Sequence, residues 1–167
     1  MGVWFNKREI TSLIKLLNSR KINYNKMILI EMERTSGDYG FKVSDSMGHI
    51  MQTDSSKENG GDDNGFRPMQ LMLAALGSCS AIDMVSILQK QKQILSGLKI
   101  NIEAEREQDV TPSLWKNIQV HFKLSGDINF DKATRAAELS MEKYCSVAET
   151  LRRAGTVISY TLEIFPA

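Results

Sequence analysis

Residues 68–93 read PMQLMLAALGSCSAIDMVSILQKQKQ, and this stretch decides the fold. Pro68 suits the first turn of a helix, where its missing N–H leaves no bond unmade. From 69 to 88 apolar residues fall on every side of the helical wheel, the pattern of a helix buried all round. Gln70, Ser78, Ser80, Asp83 and Ser86 interrupt it, which argues against a membrane span of roughly 20 nearly unbroken apolar residues. The stretch therefore predicts a long central helix over 68–93. It carries Cys79, one of two cysteines among 167 residues.

The other cysteine has a different context. In residues 142–149, EKYCSVAE, Ser146 and Glu149 have capping-box spacing. The Ser146 hydroxyl is expected to accept from the Glu149 N–H, with the carboxylate reaching back. Cys145 then falls just outside a helix N-terminus, where the positive dipole end favours a thiolate. Cys79 lies about three turns inside its helix, where that effect has faded. On local grounds Cys145 is the more acidic thiol.

The flanking chain fills in around the helix. Residues 27–53 read as a three-strand meander: Ile28, Ile30 and Met32 alternate with Leu29, Glu31 and Glu33, and turns fall at Gly37-Asp38 and at 46–48. Residues 54–65, DSSKENGGDDNG, predict a polar loop with no apolar anchor. After the helix, Gly97 is expected to stop the pattern. Segments 98–106 and 115–124 alternate and predict a long hairpin. Residues 129–144 predict a helix with Ala133, Ala136, Ala137 and Met141 inward. A short helix then runs to Ala154, stopped by Gly155, and 156–165 forms a closing strand. The order βββ-α-ββ-α-α-β means α+β, mostly antiparallel. One chain of this size can hardly wrap both sides of an all-round apolar helix, so a partner chain is expected there.

Residues 1–26 stand apart. Ile10, Leu13, Ile14, Leu16 and Leu17 keep helical spacing among basic residues, and Lys15 cuts the apolar core that a signal peptide needs. This segment reads as an N-terminal extension ahead of a domain over 27–167. The net charge of +1 gives no basic field for nucleic acid. Two cysteines without a secretory leader suit a reducing cytoplasm, where a cysteine pair is more often catalytic or metal-binding than structural. Cys79, Cys145, His49 and His121 offer four metal ligands, yet none has the close spacing typical of zinc sites, so neither metal nor cofactor is expected.

Together the two cysteine segments resemble the OsmC/Ohr family of thiol peroxidases (osmotically inducible protein C and organic hydroperoxide resistance protein). Pro68 stands eleven residues before Cys79, as in the family pattern, and CSVA over 145–148 matches its second cysteine segment. LGSCSAIDMVSIL and SMEKYCSVA look especially like the less characterised OsmC-like branch, and the resemblance spans about 27–165. It implies an intertwined homodimer with the central helices at its heart. It implies a peroxidase in which Cys79 attacks a hydroperoxide, Cys145 resolves the product and a dithiol restores the pair. The family's activating arginine comes from the first hairpin, for which Arg34 is the closest counterpart and Arg67 the second. Its partner glutamate is replaced here by Met69, followed by Gln70, and neither can pair with arginine, so a slow peroxidase is expected. Asp83, one turn beyond Cys79, either raises the thiol pKa or makes a packing contact. The alternative is a non-catalytic small-molecule binding module with an apolar pocket at the dimer interface near Met69, Met72 and Leu73.

Overall fold

The computed structural model describes residues 27–166, so the extension expected over 1–26 lies outside the described residues. These residues fall into two compact units that meet in sequence between Gly65 and Phe66.

The first unit is the expected meander: β1 (Ile30–Ser36), β2 (Gly40–Asp45) and β3 (Ile50–Thr53), antiparallel and in sequence order. Asp45 closes the β2–β3 turn. Its Oδ1 accepts from the N–H groups of Met47 and His49, and its Oδ2 lies 2.8 Å from His49 Nδ1. The bond to His49 holds the Asp45 carboxyl below its usual range. The loop after β3 has no apolar anchor, as expected, but it does have a polar one. Asp54 is buried, and its carboxylate accepts from the N–H groups of Ser55, Asp62 and Asn64 at 2.7–3.1 Å. A charge so placed substitutes for apolar packing by satisfying backbone donors that the loop itself cannot pair.

The second unit is a three-stranded sheet with helices over one face. Its elements are α1 (Pro68–Lys90), β4 (Ile94–Arg106), β5 (Trp115–Asp127), α2 (Phe130–Leu139), α3 (Ser146–Arg153) and β6 (Val157–Phe165). A π-helical turn, Ser140–Tyr144, joins α2 to Cys145. Strand β5 is central. Its Ile118, Val120, Phe122 and Leu124 are buried at alternate positions, so the intervening residues, His121 among them, face the other side. β4 pairs with β5 antiparallel, but β6 pairs with it parallel. A parallel pair needs a crossover, and α2, the π turn and α3 provide it.

Several boundaries differ from the sequence reading: β4 starts at Ile94 rather than Leu98, β5 runs on to Asp127 and α2 stops at Leu139. Helix α1 ends at Lys90 rather than near residue 93 because Lys92 adopts a left-handed φ of 56°. The N–H groups of Lys92 and Gln93 return to the carbonyls of Gln89 and Leu88, the bond pattern of a Schellman cap. Gly97 does not stop anything: it lies inside β4, at a register shift next to Leu95, and absorbs a bulge.

By length and apolarity alone α1 would pass for a membrane-crossing helix. Within the chain it packs against β4, α2 and α3. Leu76, Ser80, Met84 and Leu88 are fully buried on one face. Gly77 brings its backbone close to β4, since a Cβ there would stand 3.1 Å from Ile102 Cδ1. The burial is one-sided within a single chain, however: Ile82 is 68 % exposed and Met72 38 %.

Candidate active site

The two cysteines come from different elements. Cys79 sits in the middle of α1, half-buried. Cys145 is reached through the π turn, which inserts one residue more per turn than an α-helix and closes with the Cys145 N–H on the Ser140 carbonyl at 2.9 Å. That turn carries Ser140 and Met141 into the core and delivers Cys145 beside α1. Cys79 Sγ, Cys145 Sγ and a carboxylate oxygen of Asp83 all lie within 4.8 Å of one another.

Cys145 itself caps α3. Its Sγ accepts from the Ala148 N–H at 3.4 Å. The expected box between Ser146 and Glu149 is therefore displaced by one residue: the Glu149 N–H bonds the Cys145 carbonyl at 3.1 Å, and the Glu149 carboxylate pairs with Arg153 at 2.8 Å. Cys145 is also nearly sealed from solvent, at 3 % exposure. Burial pushes its thiol pKa up; the Ala148 N–H opposes this, the nearby Cys79 adds to it, and Ser80 opposes it. The helix terminus therefore does not lower the Cys145 thiol as the local reading expects, because desolvation of a buried thiolate outweighs one backbone donor.

Serines complete the cluster. Ser80 Oγ donates to the Leu76 carbonyl at 2.8 Å and lies 3.7 Å from Cys145 Sγ. Ser140 Oγ donates to Asp83 Oδ2 at 3.1 Å. Sequence reasoning missed both. Adjacency to Cys79 was the available signal for Ser80; Ser140 had none, because its role depends on the π turn.

The remaining candidates come from other elements. Arg67 precedes α1 as its N-cap residue and is half-buried, and its N–H donates to Gln70 Oε1 at 3.0 Å. Gln70 thereby closes the start of α1. Met69 is half-buried against the core. At 1.5 Å rise per residue, Met69 and Gln70 stand about 14–15 Å along the helix from Cys79, so a single chain does not bring them to the thiol. Arg34 is exposed on β1, opposite Phe41, in the first unit. His121 Nδ1 lies 2.8 Å from Thr161 Oγ1 on the far face of the sheet, so it does not join the cysteines, and His49 belongs to the Asp45 turn of the first unit.

This arrangement, two thiols from distant segments converging beside a helix-borne carboxylate, can be compared with known proteins. A family model described as OsmC-like protein matches residues 60–161. The chain belongs to the OsmC-like protein family. Protein YhfA of Escherichia coli K12 is 42 % identical over 101 residues, covering 60 % of this chain and 74 % of that one. A hypothetical protein from Aquifex aeolicus has a similar structure, with a TM-score of 0.73 and 27 % identity over 85 % of this chain and 98 % of the other. An organic hydroperoxide resistance protein OsmC from Legionella pneumophila shares the fold, with a TM-score of 0.61 and 16 % identity over 83 % of this chain and 96 % of the other.

Proposed function

We propose that this protein is a thiol-dependent peroxidase that reduces organic hydroperoxides or hydrogen peroxide through Cys79 and Cys145, at a slow rate. The observation that carries this reading is the approach of the two sulfurs to within 4.8 Å in a chain of the OsmC-like family. The half-buried Cys79 is the attacking thiol and the buried Cys145 the resolving one. The Cys79 thiolate displaces an alkoxide from the peroxide, which leaves as the alcohol after protonation. The resulting sulfenic acid condenses with the Cys145 thiol to a disulfide, releasing water. A dithiol reduces that disulfide and completes the cycle.

In this reading Arg34 supplies the activating cation and Arg67 is the second choice. Met69 and Gln70 stand where the family's carboxylate would hold the arginine, which accounts for the slow rate. The active form is a homodimer in the cytoplasm: the exposed apolar residues Ile82 and Met72 of α1 would be covered by a second copy. Residues 27–167 form the functional unit and 1–26 an extension to it.

A peroxide-consumption assay with several dithiols, comparing an alkyl hydroperoxide with hydrogen peroxide, tests the proposal. Turnover that requires both cysteines is the expected result. A second reading, a non-catalytic binding module, is favoured by the apolar groove between α1 and β4, lined by Leu73, Ala74, Gly77, Leu98, Ile100 and Ile102. Absence of turnover with every dithiol would leave that reading standing.

A further inference from the structure

The same three side chains suit a second chemistry. We propose that the reduced site binds one zinc ion per chain, held by the Cys79 and Cys145 thiolates and the Asp83 carboxylate, with water in the fourth position. The donor set is soft enough for zinc and too poor in oxygen for magnesium or calcium. Tetrahedral zinc, with Zn–S near 2.3 Å and Zn–O near 2.0–2.2 Å, places its ligand atoms roughly 3.4–3.8 Å apart. The three donor atoms already lie within 4.8 Å of one another, so side-chain adjustments of about an ångström complete the geometry.

The spacing explains why sequence inspection finds no zinc motif here. Cys79 and Asp83 are four residues apart on one helix, where such pairs are neighbours on a face. The pair does the work of a close Cys-x-x-Cys motif, and Cys145 arrives from the π turn. Supporting contacts of the kind that orient metal ligands are in place. Ser140 holds one carboxylate oxygen of Asp83 and leaves the other available, and the Ala148 N–H and Ser80 hydroxyl flank the Cys145 sulfur. Among the described residues Asp83 forms no ion pair that a metal would have to displace. Binding releases the two thiol protons to solvent. Zinc and the disulfide compete for the same sulfurs, so oxidation of the pair would expel the metal.

The test is run without peroxide and does not depend on catalytic turnover. Anaerobic, fully reduced protein is titrated with zinc in competition with a chromophoric chelator, and cobalt(II) is added separately to read thiolate-to-metal charge transfer. The expected result is one zinc per chain. Cys79→Ser should weaken binding at least about 100-fold and Asp83→Asn at least about tenfold. Cobalt should give a tetrahedral spectrum with thiolate bands that Cys79→Ser diminishes. Cys145→Ser is used if its helical circular dichroism is native; Cys79→Ser and Asp83→Asn are sufficient otherwise. No stoichiometric zinc on the wild-type chain, or an Asp83→Asn variant with wild-type affinity, would overturn the site.

Discussion

Ser140 Oγ donates to Asp83 Oδ2 across 3.1 Å, and this bond ties the π turn to α1. It holds the segment that ends at Cys145 against the helix that carries Cys79. A hydrogen bond to a half-buried carboxylate contributes about 1–2 kcal/mol. Ser140→Ala should therefore lower unfolding free energy by about that amount in urea melts. It should also slow disulfide formation between Cys79 and Cys145, followed by intact mass after addition of peroxide. Wild-type stability and wild-type disulfide kinetics together would show that the bond positions nothing.

The order of events at the two sulfurs can be read by trapping. With a sulfenic-acid probe and peroxide, the Cys145→Ser variant should accumulate adduct on Cys79, since no thiol is left to condense with it. Cys79→Ser should give little adduct, because the Cys145 thiol is buried and its pKa is raised. Adduct confined to Cys145 would reverse the two roles.

The buried thiol also sets a pH dependence. Burial favours the uncharged form of Cys145 and raises its pKa above the ordinary 9.0, so the unfolded chain loses this proton first. The contribution to stability is fully present below that ordinary value and is lost as pH rises from there through the folded-state pKa. Denaturant melts of wild type and Cys145→Ser should run parallel from neutral pH to about 9, then converge or cross as wild type loses stability faster. A constant difference between the two through pH 10 would argue that Cys145 titrates as it does in the unfolded chain.

The sequence carried the architecture well because its signals were local. Pro68 opened α1, alternation marked β4 and β5, and the small inward residues Ala133, Ala136 and Ala137 marked the buried side of α2, where all three are fully buried. What escaped notice depended on geometry with no compositional sign. Lys92 takes a left-handed conformation that glycine usually signals, so the end of α1 was invisible. Asp54 looks like any loop aspartate until its carboxylate is seen holding three backbone N–H groups. The π turn over Ser140–Tyr144 reads as ordinary helix, and with it went the role of Ser140, although Met141 is buried as its inward position implied. Cys145 shows the limit of a local reading most clearly. The helix N-terminus was legible, but the burial that dominates its acidity comes from packing across the unit.

The open side of α1 yields the last prediction. Helix α1 buries Leu76, Met84 and Leu88 against its own chain and leaves Ile82 mostly exposed. If a second copy covers that side, Ile82 loses its water on dimerisation, and burying an isoleucine contributes about 1.5–3 kcal/mol. In a two-fold dimer each substitution acts twice, once from each chain. Ile82→Glu removes both apolar contributions and adds two carboxylates that must be desolvated or kept apart. Together these predict a dimer dissociation constant raised at least about 100-fold, which is about 2.7 kcal/mol. Sedimentation velocity over a concentration series would measure it, with Lys99→Glu, on the exposed polar face of β4, as a charge-changed control that leaves the dimer intact. A wild-type chain that sediments as a monomer at micromolar concentration would refute the dimer. An Ile82→Glu variant that remains as dimeric as wild type would place the interface elsewhere than on this face of α1.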